Sequence, residues 1–281
     1  MPASNDEFLS AFRRTDQVIA AQLADGVPLS CGVAFCAPDL AGLPDANQVR
    51  EVLLLDITLA DAFLTVEEHF ASLGRRCLRW SPSVAQPIEL VGQYLEGLGW
   101  TSRRQIVFGL DHWIEEAGRR TSDAAGPSLR ILPARAMRKA YRQTFLGDET
   151  IAPEADRDLL ARAAGLRLDD SNYDSFVALL DDKPAGRVSL LESGDICRIQ
   201  DLLVLPSIAG RGVGRGLLHH VLHLAYRLRP RIVVAAGWVE TVGPTNGSSN
   251  PRNVAARALL ERGGFREMGC MPVWERETPL S

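Results

Sequence analysis

The chain has 281 residues, 46% apolar and 23% charged, enough apolar material for two globular cores. Its formal net charge of −4 argues against nucleic acid as the main ligand, because phosphate binding calls for clustered positive charge. The five cysteines (Cys31, Cys36, Cys77, Cys197, Cys270) are odd in number and form no C-x-x-C pair, which excludes a regular disulfide framework and a zinc ribbon.

The opening MPASNDEFLSAFRRTD lacks the basic start and apolar run of a secretory signal. No stretch of about 18 apolar residues occurs, so no membrane span is expected and a cytoplasmic protein is. Phe8, Leu9, Phe12, Ile19 and Leu23 fall at helical spacing across 6–23. Residues 52–59 read as a strand and 66–73 as a helix. The brief run 78–80 ends at the Ser-Pro-Ser turn of 81–83. Residues 87–98 read as a helix stopped by Gly99, and 104–110 as a strand. The polar, aperiodic segment 115–128 (EEAGRRTSDAAGPS) is the linker candidate, dividing the chain into domains at 1–120 and 128–281.

Beyond it, 129–132 opens a strand and 137–145 and 154–164 are helical. Strands at 176–180, 185–191 and 196–205, joined by turns at 181–184 and 192–195, form an antiparallel meander. A glycine-rich loop, a helix, a strand at 232–238, another helix and a final apolar stretch follow. This mixed order indicates an α/β or α+β sheet with helices on its faces.

The run LVLPSIAGRGVGRGL at 203–217 carries the chemistry. A strand ends near Pro206, glycines and small residues follow, and an amphipathic helix begins near Gly214. Leu217, Leu218, Val221, Leu222 and Ala225 share one arc of it, with His219, His220 and His223 opposite. Unobstructed backbone N–H groups at a helix N-terminus make an anion site suited to a phosphate or diphosphate. A P-loop would need Lys-Ser or Lys-Thr where Arg215-Gly216 stands. No register of Gly210, Gly212, Gly214 and Gly216 gives G-x-G-x-x-G.

The run resembles the diphosphate-binding motif of the GNAT N-acetyltransferase superfamily, Arg/Gln-x-x-Gly-x-Gly/Ala, as Arg211-x-x-Gly214-x-Gly216 after Val204-Leu205-Pro206. Asn253-x-x-Ala256-x-x-Leu259-Leu260-x-x-x-Gly264-Phe265 resembles the family's second signature. The resemblance covers 128–281. It implies a mixed, mostly antiparallel sheet flanked by helices, and acetyl-CoA as co-substrate with no metal. The strand ending at Leu205 would splay from the next, near 234–238, to admit the pantetheine arm. Backbone groups of Leu203, Val204 and Leu205 would bind that arm and the thioester carbonyl. Main-chain amides of Arg211, Gly212, Val213, Gly214, Arg215 and Gly216 would hold the diphosphate, and Asn253 joins this coenzyme-binding set. A primary amine of an unidentified small molecule or peptide would attack the thioester directly, with positioning, oxyanion stabilisation and proton acceptance as the catalytic devices.

The family often has a tyrosine where this chain has Leu260, and leucine cannot protonate a departing thiolate. Asp201, on the strand before the loop, is the first candidate for general base, and Glu240, just past the next strand, the second. His219 and His223 have metal-compatible spacing but no third ligand nearby and read as solvent-facing. Trp238 is a core or acceptor-pocket residue, and 241–252 (TVGPTNGSSNPR) is a candidate lid.

In the first half, Tyr94-Leu-Glu-Gly-Leu-Gly-Trp100 echoes Leu259-Leu-Glu-Arg-Gly-Gly-Phe265, which suggests a tandem protein with a worn GNAT-like copy at 1–120. That copy lacks the glycine motif, so its expected role is structural, the pair acting as a pseudo-dimer. Two other readings stand beside the enzyme: a non-catalytic acyl-CoA sensor or scaffold, and an ATP-binding protein.

Overall fold

The computed structural model describes residues 3–83, 85–86, 88–110, 129–149, 154–239 and 251–276, with main chain alone at 154–155, 238–239 and 251–253. In chain order its first elements are α1 (Asn5–Ala21), β1 (Gly26–Leu29), β2 (Gly32–Cys36), β3 (Asn47–Val52), α2 (Leu59–Ser72), β4 (Arg79–Pro82), α3 (Ile88–Gly97) and β5 (Thr101–Leu110). Then come β6 (Leu129–Pro133), α4 (Arg138–Leu146), α5 (Glu154–Arg167), β7 (Tyr173–Leu180), β8 (Lys183–Ser193) and β9 (Ile196–Val204). The last are α6 (Val213–Leu228), β10 (Ile232–Val239), α7 (Pro251–Arg262) and β11 (Phe265–Glu275). The fold is mixed α/β, with mostly antiparallel strands flanked by helices, as the sequence indicates.

Two compact units interleave along the chain. The first holds Met1–Thr15, Ile106–Gly237 and Ser249–Gly269; the second holds Asp16–Gln105, Trp238–Ser248 and Cys270–Ser281. The expected linker at 115–128 lies outside the described residues, and pairings from either side of it contribute to both units. The start of α1 belongs with the later half, where Arg198 of β9 donates to the Phe12 carbonyl at 3.3 Å and stacks on the Phe12 ring at 3.9 Å. The end of β11 belongs with the earlier half, pairing antiparallel to β4 through Trp274↔Trp80 and Glu275↔Arg79.

In the first unit β6, β7, β8 and β9 pair antiparallel in order, and β10 runs parallel to β9. Strand alternation sends Val177 and Leu179 to one face, where Tyr141, Phe145, Ala161 and Leu168 of the α4–α5 region cover them. The opposite residues, Val188, Leu190 and Ile199, meet the expected apolar arc of α6. Each aliphatic side chain fully buried there contributes about 1.5–3 kcal/mol. The β7–β8 turn is tighter than the four residues expected. Asp181 and Asp182 alone make it, at φ 51° and 62°, the two left-handed residues of a type I′ hairpin.

In the second unit β1, β2 and β3 are antiparallel and β4 is parallel to β3. Helices α2 and α3 bury Val66, Phe70, Val91 and Leu95 against Val49, Trp80 and Trp100. The strand expected at 52–59 is instead Asn47–Val52, and 53–58 leads into α2. The true strand hides because its polar residues are buried in pairs: Arg50 donates to Gln48 at 2.8 Å and forms an ion pair with Asp16. The β1–β2 hairpin was not anticipated either.

The units share three details. Each has a parallel strand pair beside an antiparallel meander. In each, a register shift before the end of the inner strand places one acidic residue in the left-handed region, Glu51 and Asp201, both at φ 52°. In each, a helix ends near a left-handed glycine (Gly99 at 83°, Gly264 at 93°) before a buried aromatic, Trp100 or Phe265. Among the described residues, no helix is long and apolar enough to cross a membrane.

Candidate coenzyme and acceptor site

The site begins with an unfinished strand pair. β9 and β10 pair from Ile196↔Ile232 to Ile199↔Ala235, and the described register stops there although β9 continues to Val204 and β10 to Val239. On its other edge β9 stays bonded to β8, and the Leu205 N–H donates to the Ala185 carbonyl at 2.9 Å. In an antiparallel ladder successive residues turn their polar groups to opposite edges. With Leu205 facing Ala185, Leu203 opposite Arg187 faces β8 as well. Of the three expected backbone ligands, Val204 alone therefore turns its N–H and C=O toward the open edge. Leu203 and Leu205 also bury their side chains.

Past Val204 a short 3-10 turn (Pro206–Ile208) delivers the chain to α6. Gly212 is the residue before the helix, at φ 79°, and no side chain caps it. Gly210 is also left-handed, at 81°. The first helical bond there runs from the Gly216 N–H to the Gly212 carbonyl at 3.0 Å. The N–H groups of Val213, Gly214 and Arg215 thus precede any intrahelical acceptor, at the positive end of the helix dipole. A Cβ on Gly210 or Gly212 would meet nothing within 4 Å, so these glycines serve the backbone turn. Gly214 serves close packing: its Cβ would lie 3.0 Å from Leu259 Cδ2 and 3.2 Å from Val204 Cγ2. That one contact brings both sequence motifs and the open strand edge together. Arg211 and Arg215 are exposed beside the turn, Arg211 in an ion pair with Asp181 at 3.2 Å.

Residues 134–246 match the family model described as acetyltransferase (GNAT) family. They form a GNAT-family domain. A search of curated proteins returns no match. Among solved structures, the chain is similar to a functionally unknown conserved protein from Staphylococcus epidermidis ATCC 12228 (12% identity, TM-score 0.66, 90% of this chain and 93% of that one). It is also similar to a GCN5-related N-acetyltransferase from Kribbella flavida (10%, TM-score 0.63, 97% of each chain). A tandem GNAT protein from the clavulanic acid biosynthesis pathway matches at 15% identity and TM-score 0.52, over 100% of this chain and 98% of that one. At these identities the likeness shows the fold.

Within the GNAT domain Asp201 is half-buried at the bulge of β9, beyond the last described β10 pair, and its Oδ2 accepts from the Tyr173 hydroxyl at 2.9 Å. Tyr173 is fully buried, and burial, then the Asp201 charge, push its phenol well above the ordinary value, so it stays a proton donor. Behind it, Ser189 and Ser175 hydroxyls lie 2.9 Å apart and Tyr141 Oη is 3.5 Å from Ser175 Oγ. Sequence reasoning missed this hydroxyl chain. The alternation Tyr173, Ser175, Val177 on β7, matched by Ser189 and Leu191 on β8, was its available signal.

The remaining expectations divide. Asn253 belongs to α7, whose described main chain includes it, and Trp238 belongs to β10. Glu240 and the candidate lid up to residue 250 lie outside the described residues. Leu260 is buried in the core with Leu217, Leu218 and Phe265. The three histidines do not all face solvent. His223 is exposed, whereas His220 is half-buried with its ring 4.5 Å from that of Phe176. The helix stripe is wide enough for Phe176 of β7 to reach under it. Burial first, then the neighbouring His223, lower the His220 pKa. No cluster of three potential metal ligands occurs among the described residues.

Proposed function

We propose that this GNAT domain transfers an acetyl group from acetyl-CoA to a primary amine of a small molecule or peptide, by direct attack. The observation that carries the reading is the open β9 edge leading straight into an uncapped helix N-terminus. Amides around Gly212, Val213, Gly214 and Arg215 fit a diphosphate, with Arg211 and Arg215 as adjacent positive charge. Val204 offers one N–H and one C=O to the pantetheine amides. When bound, acetyl-CoA supplies the thioester that the amine attacks. Asp201, also beyond the last described β10 pair, accepts the amine's proton, with Glu240 as the second candidate. Asn253 completes the coenzyme-binding set from α7.

The first half is proposed as a GNAT-like copy that no longer binds coenzyme, on three observations. Its parallel pair is zipped to the end: Val52↔Pro82 closes beyond the bulge and the Ser83 N–H reaches the Val52 carbonyl at 2.9 Å. Leu54, three residues past Glu51 as Val204 is three past Asp201, gives its N–H to the Gln86 side chain at 2.8 Å. The N-terminus of α2 is capped by Thr58, whose hydroxyl accepts from the Asp61 N–H at 3.2 Å, with the Asp61 carboxylate in the first turn. Each feature that fits a coenzyme in the second half is filled by the chain itself in the first.

Thiol release from acetyl-CoA across an amine panel tests the enzyme reading. Asp201→Asn is expected to lower kcat about 100-fold while coenzyme affinity holds. Unchanged kcat with unchanged affinity removes Asp201 as the base. Leu260, buried at the usual tyrosine position, favours a non-catalytic acyl-CoA sensor as the second reading. Tight coenzyme binding without turnover of any amine would select it.

A further inference from the structure

We infer that Tyr173 is a positioning residue for acetyl transfer, holding the Asp201 carboxylate where its second oxygen can meet the incoming amine. This rests on Asp201 being the base. The bulge makes the need for such a partner plain. Asp201 occupies φ 52°, a conformation an aspartate tolerates at some strain, on β9 beyond the last described β10 pair. Tyr173, at the start of β7, is two strands away across β8 and has no exposed surface. Its ring has no alternative place to go, and its hydroxyl meets Asp201 Oδ2 at 2.9 Å.

The hydroxyl also has a defined direction. An ionised carboxylate oxygen can only accept, so between Tyr173 and Asp201 the phenol is the donor. The phenol proton is therefore committed to Oδ2, and charge-assisted bonds of this type are the stronger and better-oriented ones. Among the described residues no hydrogen bond reaches Oδ1. One oxygen is clamped and the other is left to take a proton from an amine at the β9 edge. Holding a base in one rotamer raises the fraction of encounters with usable geometry, which acts on kcat rather than on coenzyme affinity. Because Tyr173 touches neither substrate nor the reacting atoms in this scheme, it acts only through Asp201.

A double-mutant cycle with a crystallographic arm tests this. Crystals of Tyr173→Phe are expected to keep the bulge and lose the Asp201 rotamer, with the carboxylate turned or spread over two positions. In thiol-release assays with acetyl-CoA and whichever panel amine turns over, Tyr173→Phe is expected to lower kcat about tenfold with coenzyme affinity unchanged. In the Asp201→Asn background the same substitution is expected to change kcat less than twofold. An unmoved Asp201 carboxylate in Tyr173→Phe overturns the inference whether or not an acceptor amine is found. A tenfold loss repeated in the Asp201→Asn background overturns it as well, since Tyr173 would then act independently. Asp201→Asn that leaves kcat intact while the Tyr173→Phe rotamer shift occurs counts instead against Asp201 as base.

Discussion

Leu260 shows how a single position constrains chemistry. Its side chain is 4% exposed and packs among Leu217, Leu218 and Phe265, so the direction that would carry a family tyrosine is here a closed core. Leu260→Tyr is therefore expected to destabilise the protein by about 1–3 kcal/mol through overpacking, and to bring no gain in turnover. A thermal melt and a thiol-release assay check both parts; a stable, faster variant would contradict this placement. Gly186 makes a similar case on the neighbouring strand. An added Cβ would collide with the Leu203 carbonyl oxygen and press on Leu217 at 3.1 Å, at the end of β9 where Gly186 faces Val204. At this scale the sequence was legible where a role depends on chain neighbours. Gly212 and Gly214 stand out because a loop must turn and two elements must touch. Tyr173 did not stand out, because its meaning comes from Asp201, 28 residues away and two strands over.

Among the elements, α6 carries the clearest prediction for pH. His220 is half-buried with Phe176 against its ring, and its folded-state pKa lies below the ordinary imidazole value near 6.5. The native state therefore holds fewer protons than the unfolded chain once pH drops below that value. His220 costs nothing above it and withdraws stability as pH falls from about 6.5 through the lowered folded value. His220→Leu is expected to flatten the fall in melting temperature between pH 7.5 and 5.5. A slope identical to that of the unmutated protein would remove His220 from the account. In β4 the telling residue is Arg79, buried, with Nε and Nη2 on Glu275 Oε1 at 2.8 and 2.6 Å and a further ion pair to Asp45. Glu275 takes Arg103 as well, at 2.8 Å. Removing one member of such a network strands the others, so Arg79→Ala is expected to cost about 3–5 kcal/mol in denaturant unfolding. The same chemistry explains an element that sequence periodicity misplaced. β3 buries Gln48 and Arg50 beside Val49 and Val52, and a pattern search that expects polar residues outside slides forward onto the apolar run at 53–57. Helix α6, by contrast, has the apolar arc its spacing indicates, with His220 drawn under by Phe176.

At the scale of the whole chain, what could not be read was which half each terminus serves. The buried Arg198 reaches back to Phe12 and Thr15 of α1, and the last residues of β11 find their partners in β4. Both are long-range pairings that leave no local signal, whereas the linker composition at 115–128 invites a clean cut. The interleaving predicts that residues 128–281 expressed alone do not melt cooperatively, because Arg198 is left without its cover and Trp274 without Trp80; a sharp calorimetric transition of that fragment would refute it. Acetyl-CoA is expected to occupy one site per chain, at the uncapped N-terminus of α6 beside the end of β9. Isothermal titration of the full chain with acetyl-CoA tests it most directly. The predicted result is one site per chain, lost in Gly212→Asp, which would strain the left-handed turn and set a negative charge where the diphosphate is to sit. Two sites per chain, no binding at all, or undiminished affinity in Gly212→Asp would contradict it.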